Sequence, residues 1–194
     1  MKLTLATVAA VACFFQAGVN ALPAVDVEST ALVSDTLQAN ITLLSTEEFV
    51  IDGLKAVLQT FVDETAPGED EVIEEESTLA KRCGSNQVGC DMNNNRAQKR
   101  VCGMLMDRLG GDTAQSVTPY TSQCMTVSGV GDNNVCCTAW QRKVSLRRRH
   151  LLNAMADIMN RCTSGNDLVS GDARDVDLNG SCQRQCLSNR NFCN

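Results

Sequence analysis

The residues best equipped for chemistry in this chain are cysteines, and ten of the eleven follow a single dibasic pair, Lys81-Arg82. They are Cys83, Cys90, Cys102, Cys124, Cys136, Cys137, Cys162, Cys182, Cys186 and Cys193, while Cys13 sits in an N-terminal apolar stretch. A thiol can serve as nucleophile, metal ligand or half of a disulfide. Ten among the 112 residues after Arg82 is about 9%, the density of a disulfide scaffold in a secreted chain. The even number lets all of them pair, giving about five bridges of open connectivity. Cys136-Cys137 adds a constraint. Neighbours on a strand point to opposite faces, so one can bridge toward a helix layer and the other away from it.

Other catalytic chemistry finds few groups. After Arg82 there is one histidine, His150, and no glutamate. A triad would have to be drawn from Ser or Thr, His150 and an Asp. His150 lies in "RRRHLL" at a predicted helix start, and nothing around it forms such a constellation. It is expected at the surface, no catalytic residue is assigned, and the protein is not expected to be an enzyme. "CQRQC" has i, i+4 spacing, but an oxidising route and an even cysteine count favour bridges over thiolate ligation. The aspartates of "GDARDVDLNG" lack the glutamate and glycine placement of a calcium loop. No metal and no cofactor is expected.

The remaining chemical feature is basic. "QRKVSLRRRH", residues 141 to 150, carries Arg142, Lys143, Arg147, Arg148, Arg149 and His150. Arginines at a helix N-terminus oppose its dipole, costing about 0.3–1 kcal/mol each when exposed. A local cost of that kind points to an external use, although a plain solvated face is the alternative. Partners of matching chemistry are an anionic membrane or cell-wall component, a host protein, or the chain's own acidic segment. Nucleic acid is not expected, because a secreted chain lacks ordinary access to it and stacking aromatics are few. The protein is expected to be a monomer.

Charge and cysteine content divide the chain where the dibasic pair stands. Residues 22–82 hold fourteen Asp/Glu against three Lys/Arg, net −11, whereas residues 83–194 hold nine Asp against thirteen Lys/Arg, net +4. Ahead of both, Lys2, the uncharged "LTLATVAAVACFF" and the small residues of "VNA" read as a signal peptide over 1–21. Residues 22–82 then read as an acidic propeptide, part helical and part disordered, ending at a Lys81-Arg82 processing site for a kexin-type protease. Ser45 and Glu48 form a capping-box pattern. With Val50, Leu54, Val57, Leu58 and Phe61 at helical spacing, they predict a helix over 45–65. Asn40 and Asn179 open glycosylation sequons, as a secretory route allows.

Residues 83–194 are the predicted mature domain. A short clamped strand at 83–90 precedes a helix from Asp91 to about Leu109. Strands at 123–129 and 134–140 form a hairpin, a helix covers about 146–162, a strand follows at 173–180, and Cys182 and Cys186 suit a closing helical turn. The class is α+β, a small disulfide-rich α/β sandwich in the order β-α-β-β-α-β, the split βαβ arrangement.

"CGSNQVGC", a helix, "SQCMTVSG", "CCTAW", a helix ending "MNRC" and "GDARDVDLNGSC" resemble small secreted cysteine-rich proteins of filamentous fungi. The layout is also similar to the virally encoded killer toxins of smut fungi, which are α/β sandwiches with ten cysteines. The resemblance covers about residues 83 to 186. It implies a secreted, extracellular effector or virulence factor that acts non-enzymatically on a host target through its basic surface, with entry into host cells left open. The alternative it implies is a killer-type toxin acting on membranes or channels of competing microbes.

Overall fold

A computed structural model describes residues 40–67, 83, 85–91, 95–111 and 120–193. The signal peptide read at 1–21, the acidic run before the dibasic pair and the Lys81-Arg82 pair itself lie outside them.

The helix expected over 45–65 is instead a β-hairpin, β1 (Ile41–Ile51) and β2 (Leu54–Asp63). Its turn is Asp52-Gly53, both left-handed (φ 51° and 77°), between the paired residues Ile51 and Leu54. An Asp-Gly pair in that conformation matches the right-handed twist of the flanking strands, which an ordinary turn would splay. Along β2 burial alternates: Ala56, Leu58, Thr60 and Val62 are buried, and the residues between them are not. Period two therefore prevails over the apparent helical spacing, because β2 has a strand to pair with on each side. One partner is β1 and the other is β5 (Tyr120–Val127), which lies beyond Cys83 in the chain. Contacts gather Leu37–Asn194 into one unit, so the acidic hairpin belongs to the cysteine-rich fold.

After the hairpin come β3 (Gln87–Cys90), β4 (Ala97–Gln98), α1 (Lys99–Gly111), β5 and β6 (Val135–Val144). A 3₁₀ turn (Arg148–Leu151), α2 (Leu152–Cys162), β7 (Leu168–Val169), β8 (Gly171–Leu178) and β9 (Ser181–Ser188) complete the order. Among the described residues one seven-stranded sheet runs β1-β2-β5-β6-β9-β8-β3, and β4 pairs with β7 in a small second sheet. The fold is α+β, with two helices and antiparallel pairing throughout.

Three expectations change. A split βαβ arrangement places parallel strands side by side, whereas β3 runs antiparallel to β8 at the sheet's edge. The first helix begins at Lys99, not Asp91. Ala97 and Gln98 are committed to pairing with Val169 and Leu168, and the Asp91 N–H donates to the Ser170 carbonyl at 3.1 Å. Cys182 and Cys186 lie on β9 instead of a helical turn. Their spacing of four keeps two residues on one side of a strand as well as of a helix.

The core lies between the helices and one sheet face. Val101, Leu105 and Leu109 of α1 and Met155 and Ile158 of α2 meet Leu58, Met125 and Leu187, all buried. Bridges fasten the layers. Cys102–Cys136 ties α1 to β6, Cys90–Cys162 ties β3 to α2, and Cys83–Cys182 ties the segment before β3 to β9. Cys137, on the opposite face from Cys136, crosses directly to Cys124 on β5, and Cys186–Cys193 folds the C-terminal tail onto β9. Gly171 lets β3 and α2 close on each other. A Cβ there would stand 2.7 Å from the Gly89 carbonyl oxygen and 2.8 Å from Cys162 Sγ.

Candidate functional site

Where β6 leaves the sheet after Val144, the chain is pinned by Leu146 and Leu151, both buried. Of the six residues expected to form one basic face, Arg142 and Lys143 lie on β6 and the other four lie between the two leucines, and the fold sorts them. Arg147 and Arg149 are exposed, while Arg142, Lys143 and His150 are half-buried. Arg148 is turned inward, only 2% exposed. It does not belong to an outward face.

The inward turn has a specific cause. Arg148 Nη2 donates to Glu47 Oε1 at 2.6 Å, and Arg108 Nη2 of α1 donates to Glu47 Oε2 at 2.7 Å. One carboxylate on β1 thus holds two guanidinium groups from two other elements, charge-assisted bonds on both oxygens. The Arg108 guanidinium also lies 5.3 Å from the Phe49 ring centroid, a cation–π contact. Burial alone would raise the Glu47 carboxyl, but hydrogen bonds and charge from Arg148 and Arg108 outweigh it and hold the group below its ordinary range. Lys143 is engaged by the segment that follows this hairpin. Its Nζ stands 3.7 Å from Glu64 Oε2 and donates to the Glu64 carbonyl at 3.0 Å, and its N–H donates to the Pro67 carbonyl at 3.0 Å.

Beneath the ridge a buried amide fixes the 3₁₀ turn to the sheet. Gln185 Nε2 donates to Thr138 Oγ1 at 2.8 Å and to the Leu151 carbonyl at 3.0 Å. Beside the ridge, the β8–β9 turn is formed by Asn179 (φ 59°) and Gly180 (φ 90°). Asn179 is exposed, and its Nδ2 donates to the Ser145 carbonyl at 2.9 Å. The second sequon therefore abuts the basic ridge. The first, Asn40, is exposed at the start of β1.

His150 is held below its ordinary pKa by burial, then by the nearby charges of Arg149 and Arg147, with Asp177 pulling weakly the other way. Its Nδ1 makes no hydrogen bond among the described residues. Among the described residues no group of three His, Cys, Asp or Glu side chains could hold a metal ion. A shallow cleft of about 360 Å³ opens where the hairpin, β6 and the tail meet, lined by Asp63, Thr121, Trp140, Arg142, Asn191 and Phe192. Trp140 is 3% exposed and forms a wall there, with little ring face to offer.

Glu47, Arg108 and Gln185 were not singled out by sequence reasoning. By sequence pattern Glu47 falls in a helix of a separate acidic segment, and its role follows only once β1 is registered against β2. An Asp-Gly turn between apolar runs was the signal available for that.

Five disulfides in a small domain fit an extracellular setting. Among the described residues no helix is long and apolar enough to cross a membrane. No curated protein and no solved structure matches the chain. A family model does match, over residues 28–194, a stretch that takes in the acidic hairpin together with every bridged cysteine. By that match the chain belongs to the fungal WD-like family.

Proposed function

We propose that this is a secreted, non-enzymatic fungal effector that recognises an anionic host component, a membrane or cell-wall polyanion, through the outward part of its basic ridge. The observation that carries the reading is the sorting of the cluster. Two arginines, Arg147 and Arg149, are presented to solvent from a turn anchored on both sides by buried leucines. A bridged, rigid body that projects arginines suits recognition of carboxylate or phosphate groups, because little loop ordering remains to be lost on binding and the planar guanidinium fork matches such groups.

The test uses the full secreted chain on immobilised polygalacturonate and on vesicles containing anionic lipid. Binding should be salt-sensitive and should weaken about tenfold or more in an Arg147→Ser/Arg149→Ser variant that keeps its thermal midpoint. Equal binding by the variant and the natural chain would remove the ridge from the recognition. A gene deletion that leaves infection unchanged would remove the host from the proposal.

A further inference from the structure

The hairpin Ile41–Asp63 is held to the bridged region by chain connectivity and noncovalent contact alone. All five disulfides lie from Cys83 onward, and Cys13 is the one cysteine before the Lys81-Arg82 pair. The contact is nevertheless that of a core element. β2 pairs with β5 in register from Ala56↔Val127 to Phe61↔Ser122. Ala56 and Leu58 share one apolar cluster with Met125 and Val127, and Phe49, Ile51 and Leu54 pack against it. Thr121 Oγ1 accepts the Asp63 N–H at 2.8 Å, and the Lys55 carbonyl accepts the Ser128 N–H at 2.9 Å. Glu47 gives Arg148 and Arg108 their shared carboxylate, and Glu64 engages Lys143.

We infer that the acidic hairpin is a permanent subunit and not a disposable leader. When the chain is cut after Arg82, the protein persists as a two-chain complex, with residues 41–63 retained as the two strands that complete the sheet beside β5. Departure of the hairpin would incur three costs at once. The backbone N–H and C=O groups of β5 would become an open sheet edge. Met125 and Val127, both 0% exposed, would lose their cover. Arg148 would keep its buried charge and lose its 2.6 Å bond to the Glu47 carboxylate. A segment meant to leave would be expected to contribute few buried residues, and this one supplies part of the main core. The inference concerns how the molecule is assembled and does not depend on what the ridge binds.

The charges supply a direct readout. The fragment 22–82 carries net −11 and the fragment 83–194 carries net +4, so the complex stands at −11 + 4 = −7. Purified full chain is treated with a kexin-type protease. Mass measurement under denaturing, non-reducing conditions then identifies the cut, and native ion exchange at pH 7 identifies the assembly. Two separate masses with a boundary after Arg82, together with co-elution of both fragments from an anion exchanger, is the expected result. A bridged fragment that runs alone onto a cation exchanger would overturn the inference, and so would a chain that the protease does not cut after Arg82. Glu47→Ala in the same chain should weaken retention of the hairpin by about tenfold or more, read as dissociation on dilution. Unchanged retention would show that the arginine clamp is not what keeps it.

Discussion

Glu47 and Arg148 stand 101 positions apart in the chain and meet at 2.6 Å, the acceptor on the outermost strand of the sheet and the donor under the basic ridge. Arg148 is nearly inaccessible, whereas the Glu47 side chain keeps about a third of its surface. Removing the carboxylate therefore takes a charge-assisted bond from a buried cation, while the Glu47 side stays open to solvent. Glu47→Gln should lose about 1–3 kcal/mol of stability in urea unfolding. Adding Arg148→Met should cost less than the sum of the two single changes, because both single changes break the same bond.

Acid should loosen the fold in two stages. Within the fold the Glu47 carboxyl lies below its ordinary value of 4.5. Its stabilisation is complete above that value and is lost as the pH falls through the folded pKa, because the unfolded chain takes the proton first. His150 is likewise depressed below 6.5 by burial and by Arg149 and Arg147, so the unfolded state gains a proton that the folded state resists as the pH drops under that value. The thermal midpoint should decline gently below about 6.5 and more steeply below about 4.5. Glu47→Gln should flatten the lower limb, and His150→Gln the upper.

How far the sequence carried this picture depends on which contacts were local. Within the stretch from α1 to β8 the end of α1, β6 and α2 are legible because each has its own signal: the Gly110-Gly111 stop of α1, the paired cysteines of β6, and the apolar stripe of α2. β7 and the start of α1 at Lys99 have none, because both rest on the β4–β7 pairing. The hairpin was misread because Val50, Leu54, Val57, Leu58 and Phe61 fit a helix as well as two strands. The decisive facts, β5 waiting beyond Cys83 and two arginines waiting for Glu47, are tertiary. The charge divide at Lys81-Arg82 points to two separate segments. Opposite charge in two halves of a chain is equally what two halves need in order to adhere, as the Glu47 and Glu64 contacts show.

Gly171 should not tolerate a side chain. Alanine there meets backbone oxygen and a bridged sulfur closer than real Cβ contacts allow, so β3 and α2 must move apart. Gly171→Ala is expected to cost about 1–3 kcal/mol in urea unfolding. Gly165→Ala, where nothing lies within 4 Å, serves as the control with little change.

The bridges should not contribute equally. Cys83–Cys182 closes 99 residues and Cys186–Cys193 closes 7. On chain entropy alone the longer loop is worth about 2 kcal/mol more. Paired replacement with serine, followed by thermal unfolding, should rank them in that order.

A glycan at Asn179 would stand beside the ridge, since that amide donates to the carbonyl of Ser145, two residues before Arg147. Asn179→Gln should therefore strengthen binding of the glycosylated protein to a polyanion and leave a deglycosylated sample unchanged. Equal affinity before and after the substitution in glycosylated protein would show that the sugar points elsewhere.

The strand order also has a meaning in time. β1–β2, β5–β6 and β8–β9 join neighbours in the chain, whereas β2–β5, β6–β9 and β3–β8 join segments far apart. Hairpins form within microseconds, and pairings between distant segments wait on slower searches. The nascent molecule is thus three quick ribbons that must find one another while their cysteines oxidise. Cys124–Cys137 lies within a single ribbon and can close early. Cys83–Cys182 spans the widest gap of the five bridges, and by the same scaling its two ends have the longest search to complete.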